Sequence, residues 1–179
     1  MAPSEVAGFP PTSIREIAAE VSALLKEQGA TVSVAETAAG GLISSTLLAT
    51  PGASGFYRGG VTVYTLESRI AFAGWTEDNL KNYHGPTPEL VAGLAESVRS
   101  KLGSTFAIGE SGTAGPTGGL TKNRTPGYVA LAVSSDSGTA MREVDTGMGT
   151  DREANMVAFA TEALKLLRDC LTGRVRAEL

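Results

Sequence analysis

Three side chains in one short stretch, GASGFYRGGVTVYTLESR at 52–69, have types that could do hydrolytic chemistry. Ser54 stands in a glycine-flanked loop, Tyr64 follows in the run VTVYT, and Arg69 comes just beyond it. A serine hydroxyl becomes a useful nucleophile only when a neighbouring base takes its proton. A lysine can be that base when burial or a positive neighbour brings it near neutrality. A guanidinium, which gives up its proton only far above neutrality, cannot, since neutralising it at pH 7 costs about 7 kcal/mol or more. What an arginine at 69 can supply is charge, favouring a phenolate if it lies beside Tyr64 or an oxyanion if it faces one. The bland readings stand beside these: loop serines are usually turn formers, and an arginine on a short helix is commonly solvated. A Ser-His-Asp triad would hang on His84, the single histidine, in NYHGP. Cys170, next to the buried stripe of the last helix and near the chain end, reads as a packing or peripheral thiol. Lys122 is one more amine that could reach the serine.

Two glycine-bearing turns invite a ligand. In AETAAGG, 35–41, a strand ends and a helix begins, so free N–H groups and a positive dipole end could receive an anion; the same turn could equally be structural. Glu36 within it is either a partner for the helix N-terminus or an acceptor for ligand hydroxyls. In SGTAGPTGG, 111–119, closely spaced glycines would let the main chain approach a ligand without Cβ interference.

The elements that must position these residues follow from periodicity. Ile14, Ile17, Ala18, Val21, Leu24 and Leu25 predict a helix from Ser13, stopped by Gly29. TVSVAET reads as a buried strand, and LISSTLLAT as a helix ended by Pro51. VTVYT reads as a strand with Thr62 and Tyr64 on one face, followed by a short helix through Arg69 to Phe72. Thr87-Pro88-Glu89 opens a helix that Gly103 closes. TFAIGES reads as a strand, and the glycine- and proline-rich stretch 109–127 forbids regular structure. YVALAVSSDSGTAMREVDT predicts a hairpin. A last helix runs from about Asp151 to Leu171 with Val157, Ala160, Leu164, Leu167 and Leu171 buried. Helices alternating with strands, then a hairpin, predict an α/β fold: a three-layer single domain, a mixed sheet with helices on its faces, over 13–171, flanked by tails at 1–12 and 172–179.

The chain of 179 residues is 42% hydrophobic and 19% charged, enough for one substantial core. A net charge of −4 offers no basic surface for a nucleic-acid backbone. One cysteine and one histidine argue against a disulfide or a zinc site. The start, MAPSEVAGFPPTS, lacks the charge and apolar pattern of a leader, and no 18-residue apolar run occurs. The expectation is a cytoplasmic protein acting on a small molecule, away from membrane and nucleic acid.

AETAAGG, GASGFYRGGVTVYTLES, SGTAGPTGG, TPGYVALAV and GTDREANMVAFATEAL, taken in order and spacing, resemble the C-terminal domain of the competence/damage-inducible protein CinA across roughly residues 13–171. Bacterial members of that family are nicotinamide mononucleotide deamidases, which release ammonia and leave nicotinate mononucleotide. Larger members carry a pyrophosphatase-type N-terminal domain, for which this chain has no room. The family's proposed catalytic set is a serine, a tyrosine ten residues on and a lysine five further; Ser54 and Tyr64 match, and Arg69 takes the lysine's place. The resemblance implies a substrate-binding set of Glu36, Thr37, Gly40, Gly41, Gly112, Thr113, Ala114, Gly115, Gly118 and Arg152, with main-chain N–H groups of both glycine loops holding phosphate and ribose. Here Thr37, Ala38 and Ala39 replace the family's usual Ser, Cys or Ser, and Thr, so departures gather at the site. The resemblance implies a homo-oligomeric pyridine-nucleotide amidase using a serine nucleophile, without metal or organic cofactor. The alternative is a catalytically impaired nucleotide- or partner-binding module.

Overall fold

A computed structural model of the chain describes residues 8–175; residues 1–7 and 176–179, part of the expected tails, lie outside the described residues. The order of elements is α1 (Thr12–Glu27), β1 (Val32–Glu36), α2 (Leu42–Leu48), β2 (Tyr57–Thr62), α3 (Leu66–Ala73), α4 (Glu77–Lys81), α5 (Pro88–Leu102), β3 (Phe106–Gly112), β4 (Tyr128–Ser135), β5 (Gly138–Asp145) and α6 (Arg152–Leu171). The strands form one sheet in the order β2-β1-β3-β4-β5. β1 pairs in parallel with β2 and with β3, while β4 runs antiparallel to β3 and β5 antiparallel to β4.

Two apolar layers flank this sheet. On one face Ile14, Val21 and Leu25 of α1, Ile43 and Leu47 of α2, and Phe159, Leu164 and Leu167 of α6 pack against Val32, Val34, Ile108, Leu131 and Val133. On the other, Val91, Leu94, Ala95 and Val98 of α5, with Ala73 and Trp75, cover Ala35, Ala107, Ala130 and Ala132. Small residues on that second face let α5 lie close. Each large aliphatic side chain removed from water contributes about 1.5–3 kcal/mol, so both layers are needed to offset chain entropy. α5 starts where its sequence asks: the Thr87 hydroxyl accepts from the Leu90 N–H at 3.3 Å, with Pro88 at the first position. Asp151 does the same for α6, accepting from the Ala154 N–H at 3.1 Å.

The three-layer expectation holds, with four local corrections. β2 covers Tyr57–Thr62, earlier than VTVYT: Gly60 lies close against Val34 of the neighbouring strand, and Tyr64 falls past the end of β2. Gly109–Gly112 belong to β3, and Lys122–Arg124 form a 3-10 turn, so the stretch 109–127 is less irregular than its composition suggests. α4 was not foreseen. Val157 is only half-buried, and Phe159 and Ala163 take its place in the stripe of α6.

Candidate functional site

Because β1, β2 and β3 are parallel, their carboxyl ends open on one edge of the sheet. The connection after β1 turns toward β2, whereas the chain leaving β3 turns toward β4, so the crevice between the ends of β1 and β3 is where open α/β sheets receive ligands. The turn 37–41, the segment 63–65, the long loop 113–127 and the start of α6 all meet there.

The turn after β1 is already occupied by the protein's own carboxylates. The N–H groups of Thr37 and Ala39 donate to Glu110 Oε2 at 2.9 and 3.0 Å. Those of Ile43 and Ser44 donate to Glu36 at 3.0 and 3.1 Å, and the Ser44 hydroxyl adds a bond of 2.6 Å. Gly40 and Leu42 N–H groups donate to the carbonyls of Thr37 and Ala39. This narrows the expectation of an open cradle: in the turn only the Ala38 and Gly41 N–H groups are without a partner among the described residues. Glu36, fully buried, accepts from the N-terminus of α2, and Gly40 and Gly41 take left-handed backbone in the turn between them. Thr37 is buried too, its hydroxyl donating to Ser111 Oγ at 3.0 Å.

Glu110 is the residue that sequence reasoning passed over. It is wholly buried on β3, cross-strand from Glu36, and burial, its largest influence, lifts its carboxyl to about 7 despite the two N–H donors. Glu36 pushes it further up and Arg69 pulls it down. Its Oε1 has no partner among the described residues. The signal was available: an acid inside the apolar strand TFAIGES, immediately before a glycine loop.

The long loop folds on itself. Thr113 accepts from the Gly127 N–H and donates its own to Tyr128 O, while its hydroxyl donates to Asn123 O. The Ala114 carbonyl accepts from the buried Asn155 side chain at 3.0 Å. At Gly118 a Cβ would run into the Arg124 carbonyl, and at Gly112 it would lie 2.7 Å from Tyr128 O and 2.8 Å from the Phe159 ring. These two glycines therefore admit the loop's own return segment and the core, where the sequence suggested a ligand.

Arg152, at the start of α6, ties the crevice together. Its Nη1 donates to Gly115 O at 2.6 Å and its Nη2 to the Tyr64 hydroxyl at 3.2 Å. The cation beside Tyr64 is thus Arg152. Arg69 is elsewhere: it is 4% exposed, its Nε donates to Val63 O at 3.4 Å, and its guanidinium lies 4.9 Å from the Trp75 ring and 5.1 Å from the Tyr83 ring. It is no solvated helix residue. Its Nη1 has no hydrogen-bond partner among the described residues. Tyr83 also lines a pocket of about 290 Å³ with Gly85, Gly112, Thr113, Thr117, Gly118 and Arg124.

Ser54 lies at the far edge. It sits in a 3-10 turn, Ala53–Gly55, before β2, whereas Tyr64 follows β2, and six residues of strand at about 3.3 Å each set them on the order of 20 Å apart within one chain. Its side chain is exposed and makes no hydrogen bond among the described residues. Lys122 pairs with Glu143, whose other oxygen accepts from Tyr128 at 2.6 Å, so that amine serves the β4–β5 hairpin and not Ser54. His84 is exposed, and burial pushes the Cys170 thiol up to about 11, which keeps it protonated and inert. Among the described residues no cluster of side chains has the makeup of a metal site, and no helix is long and apolar enough to cross a membrane.

Comparison with known proteins supplies the rest of the frame. The family model described as the CinA C-terminal domain matches residues 14–171. A CinA-like protein of Shewanella amazonensis is 37% identical over 162 residues, covering 90% of this chain and 37% of the relative. A putative competence-damage inducible protein of Desulforamulus reducens is 33% identical over 154 residues, covering 86% and 36%. The chain thus spans little more than a third of the length of those relatives. Among solved structures, a competence/damage-inducible protein of Agrobacterium tumefaciens superposes with a TM-score of 0.81 at 27% identity over 90% of this chain and 97% of its own. Competence damage-inducible protein A of Klebsiella pneumoniae gives 0.82 at 24% identity, covering 89% and 97%, a likeness of fold.

Proposed function

The chain belongs to the CinA C-terminal domain family, and from that premise we propose that it binds a pyridine mononucleotide at the crevice beyond β1 and β3 without hydrolysing it through Ser54, Tyr64 and Arg69 of one chain. The observation that carries this reading is the burial of Arg69 between Trp75 and Tyr83. A clamped guanidinium stays charged and cannot accept the seryl proton. The strand-long gap between Ser54 and Tyr64 supports the same conclusion. In this reading the crevice is floored by Thr37, Ser111 and Thr113 and rimmed by Tyr64 and Arg152.

The test is ammonia release from nicotinamide mononucleotide, run beside a thermal-shift titration with the same nucleotide. Binding raises the melting temperature as mass action requires, and no ammonia appears. Sustained ammonia release that collapses in Ser54→Ala would overturn the reading. It would instead favour amide hydrolysis across two copies of the chain. One observation speaks for that second reading: β2 is an edge strand with Ser54 and Tyr64 exposed at its opposite ends, so antiparallel apposition of two β2 edges would bring one copy's serine to the other's tyrosine. Mixing Ser54→Ala with Tyr64→Phe chains would then restore part of the activity.

A further inference from the structure

Edge strands present a row of unpaired main-chain groups, which most proteins blunt with a bulge, a proline or a charge. β5 is an edge of this sheet, and its residues 138–141, Gly-Thr-Ala-Met, include neither proline nor charge. Its register with β4 runs unbroken from Tyr128 opposite Asp145 to Ser135 opposite Gly138. The Thr146 N–H donates to Gly127 O, which sets the alternation of the ladder. Gly138, Ala140, Arg142 and Val144 turn their N–H and C=O groups toward β4, and Thr139, Met141 and Glu143 turn theirs outward. Met141 is 43% exposed.

Beside that edge, between α5 and the β4–β5 hairpin, runs a groove of about 580 Å³. Its charge is lopsided. Glu89, Glu96 and Asp136 line it against one cation, Arg99, which is already paired with Asp136 at 2.6 Å. Glu89 has no partner among the described residues, and Glu96 has only the Thr139 hydroxyl, at 2.9 Å. Ser134 adds an observation independent of the acids: it is 1% exposed, it lines the groove, and its hydroxyl makes no hydrogen bond among the described residues. A buried hydroxyl is costly until something bonds to it. Groove and edge belong together, because Thr139 and Met141 line the groove with their side chains while their main chain faces the open edge.

We propose that β5 and this groove bind an extended, basic segment of a partner protein, which joins the sheet as a further strand. A residue of the added strand opposite Thr139 or Met141 stands about 5 Å away and points to the same face as they do, over the groove. Lysine or arginine at alternate positions therefore meets Glu89 and Glu96, with its aliphatic stem lying on Met141 and Ala92. The residues between face away from the groove. Main-chain bonds supply affinity, and the carboxylates select a basic partner over an acidic one. The groove stands at the amino end of β3, where Ser134 lies opposite Ala107, and so is separate from the crevice beyond the carboxyl ends of β1 and β3. The inference is independent of the nucleotide reading.

The test is fluorescence anisotropy of the full chain with a labelled peptide alternating lysine and valine. Beside it run the same peptide with glutamate for lysine, and the basic peptide N-methylated along one edge of its main chain. The basic peptide is expected to bind and to slow amide exchange in 138–145. The acidic peptide binds about tenfold more weakly or not at all. N-methylation, which keeps the charge and removes main-chain donors, costs about tenfold. Met141→Pro removes an outward donor and none of the bonds to β4, and costs about tenfold as well. Glu89→Gln, at an exposed and unpaired position, weakens the basic peptide by about threefold and leaves the melting temperature unchanged. Circular dichroism confirms that each variant is folded; should Met141→Pro fail to fold, Glu89→Gln and the N-methylated peptide decide the matter. Equal binding of the methylated and unmethylated peptides means attraction by charge alone and overturns the inference. Equal binding of the basic and acidic peptides, or of neither, overturns it too. So does sedimentation showing that two copies of the chain already pair through β5, which gives the edge to a second copy.

Discussion

The two glycine turns at the carboxyl edge of the sheet look alike in sequence and are built on opposite principles. After β1 four backbone donors converge on acids from the interior, Glu36 and Glu110, and only those of Ala38 and Gly41 are left without a partner among the described residues. After β3 the loop doubles back on its own carbonyls, at Asn123, Arg124 and Tyr128, and leaves the Thr117 and Gly118 N–H groups without a partner among the described residues. Glycine in the first turn permits a shape; in the second it permits two backbone segments to touch. A glycine-rich motif at a strand end is therefore no evidence of an anion site until its donors have been traced.

The contrast breaks most sharply at Glu36. Replacing it by alanine strands two buried N–H groups and the Ser44 hydroxyl, and is expected to cost about 3–5 kcal/mol. Urea denaturation reads this directly; a loss under about 1 kcal/mol would mean that the turn does not depend on its internal acid.

Glu110 gives the next effect, and its sign is fixed. Its folded-state pKa, about 7, lies above the ordinary 4.5, so the folded chain holds a proton that the unfolded chain releases. Its contribution is complete below about pH 4.5 and is lost as pH rises through 7, on the order of 3 kcal/mol in all. Glu110→Gln should flatten this part of the stability profile and leave the variant more stable than the parent at pH 8. An unchanged slope between pH 5 and 7.5 would assign the titration to another group.

Gly118→Ala probes the second loop. Its Cβ meets the Arg124 carbonyl, so a loss of about 1–3 kcal/mol is expected, accompanied by faster amide exchange in 113–127 and none around 37–44. Exchange rising equally in both turns would show that they are one unit. The smallest effect belongs to Ser54→Ala, at the opposite edge and in water, expected within about 0.5 kcal/mol of the parent.

Much of this architecture was legible because its residues obey simple periods. Ile14, Ile17, Val21 and Leu25 are spaced for one helical face, and Thr87 and Pro88 announce α5. β2 was misplaced because Gly59 and Gly60 erase the alternation that marks a strand; Val34 O, Ser44 and Tyr57 leave no room for a side chain at 60, and the backbone at 59 has a positive φ. The site was harder. The position of Arg69 depends on Trp75 and Tyr83, residues that flank the short α4, an element no period in the sequence announces. Spacing of Ser54 and Tyr64 along the chain was plain, yet only the parallel run of β2 shows that it carries them to opposite edges. Glu110 escaped notice because alternation assigns it inward and says nothing of which N–H groups wait there.

The internal capping of α2 also governs how the protein meets ionic strength. Mobile ions screen over about 8 Å at physiological salt and act through solvent. They cannot enter the contact between Glu36 and the α2 backbone, whereas the exposed guanidinium of Arg124 is fully within their reach. Raising potassium chloride should therefore leave the turn after β1 as rigid as before, and screen only the charge that Arg124 carries in the neighbouring loop.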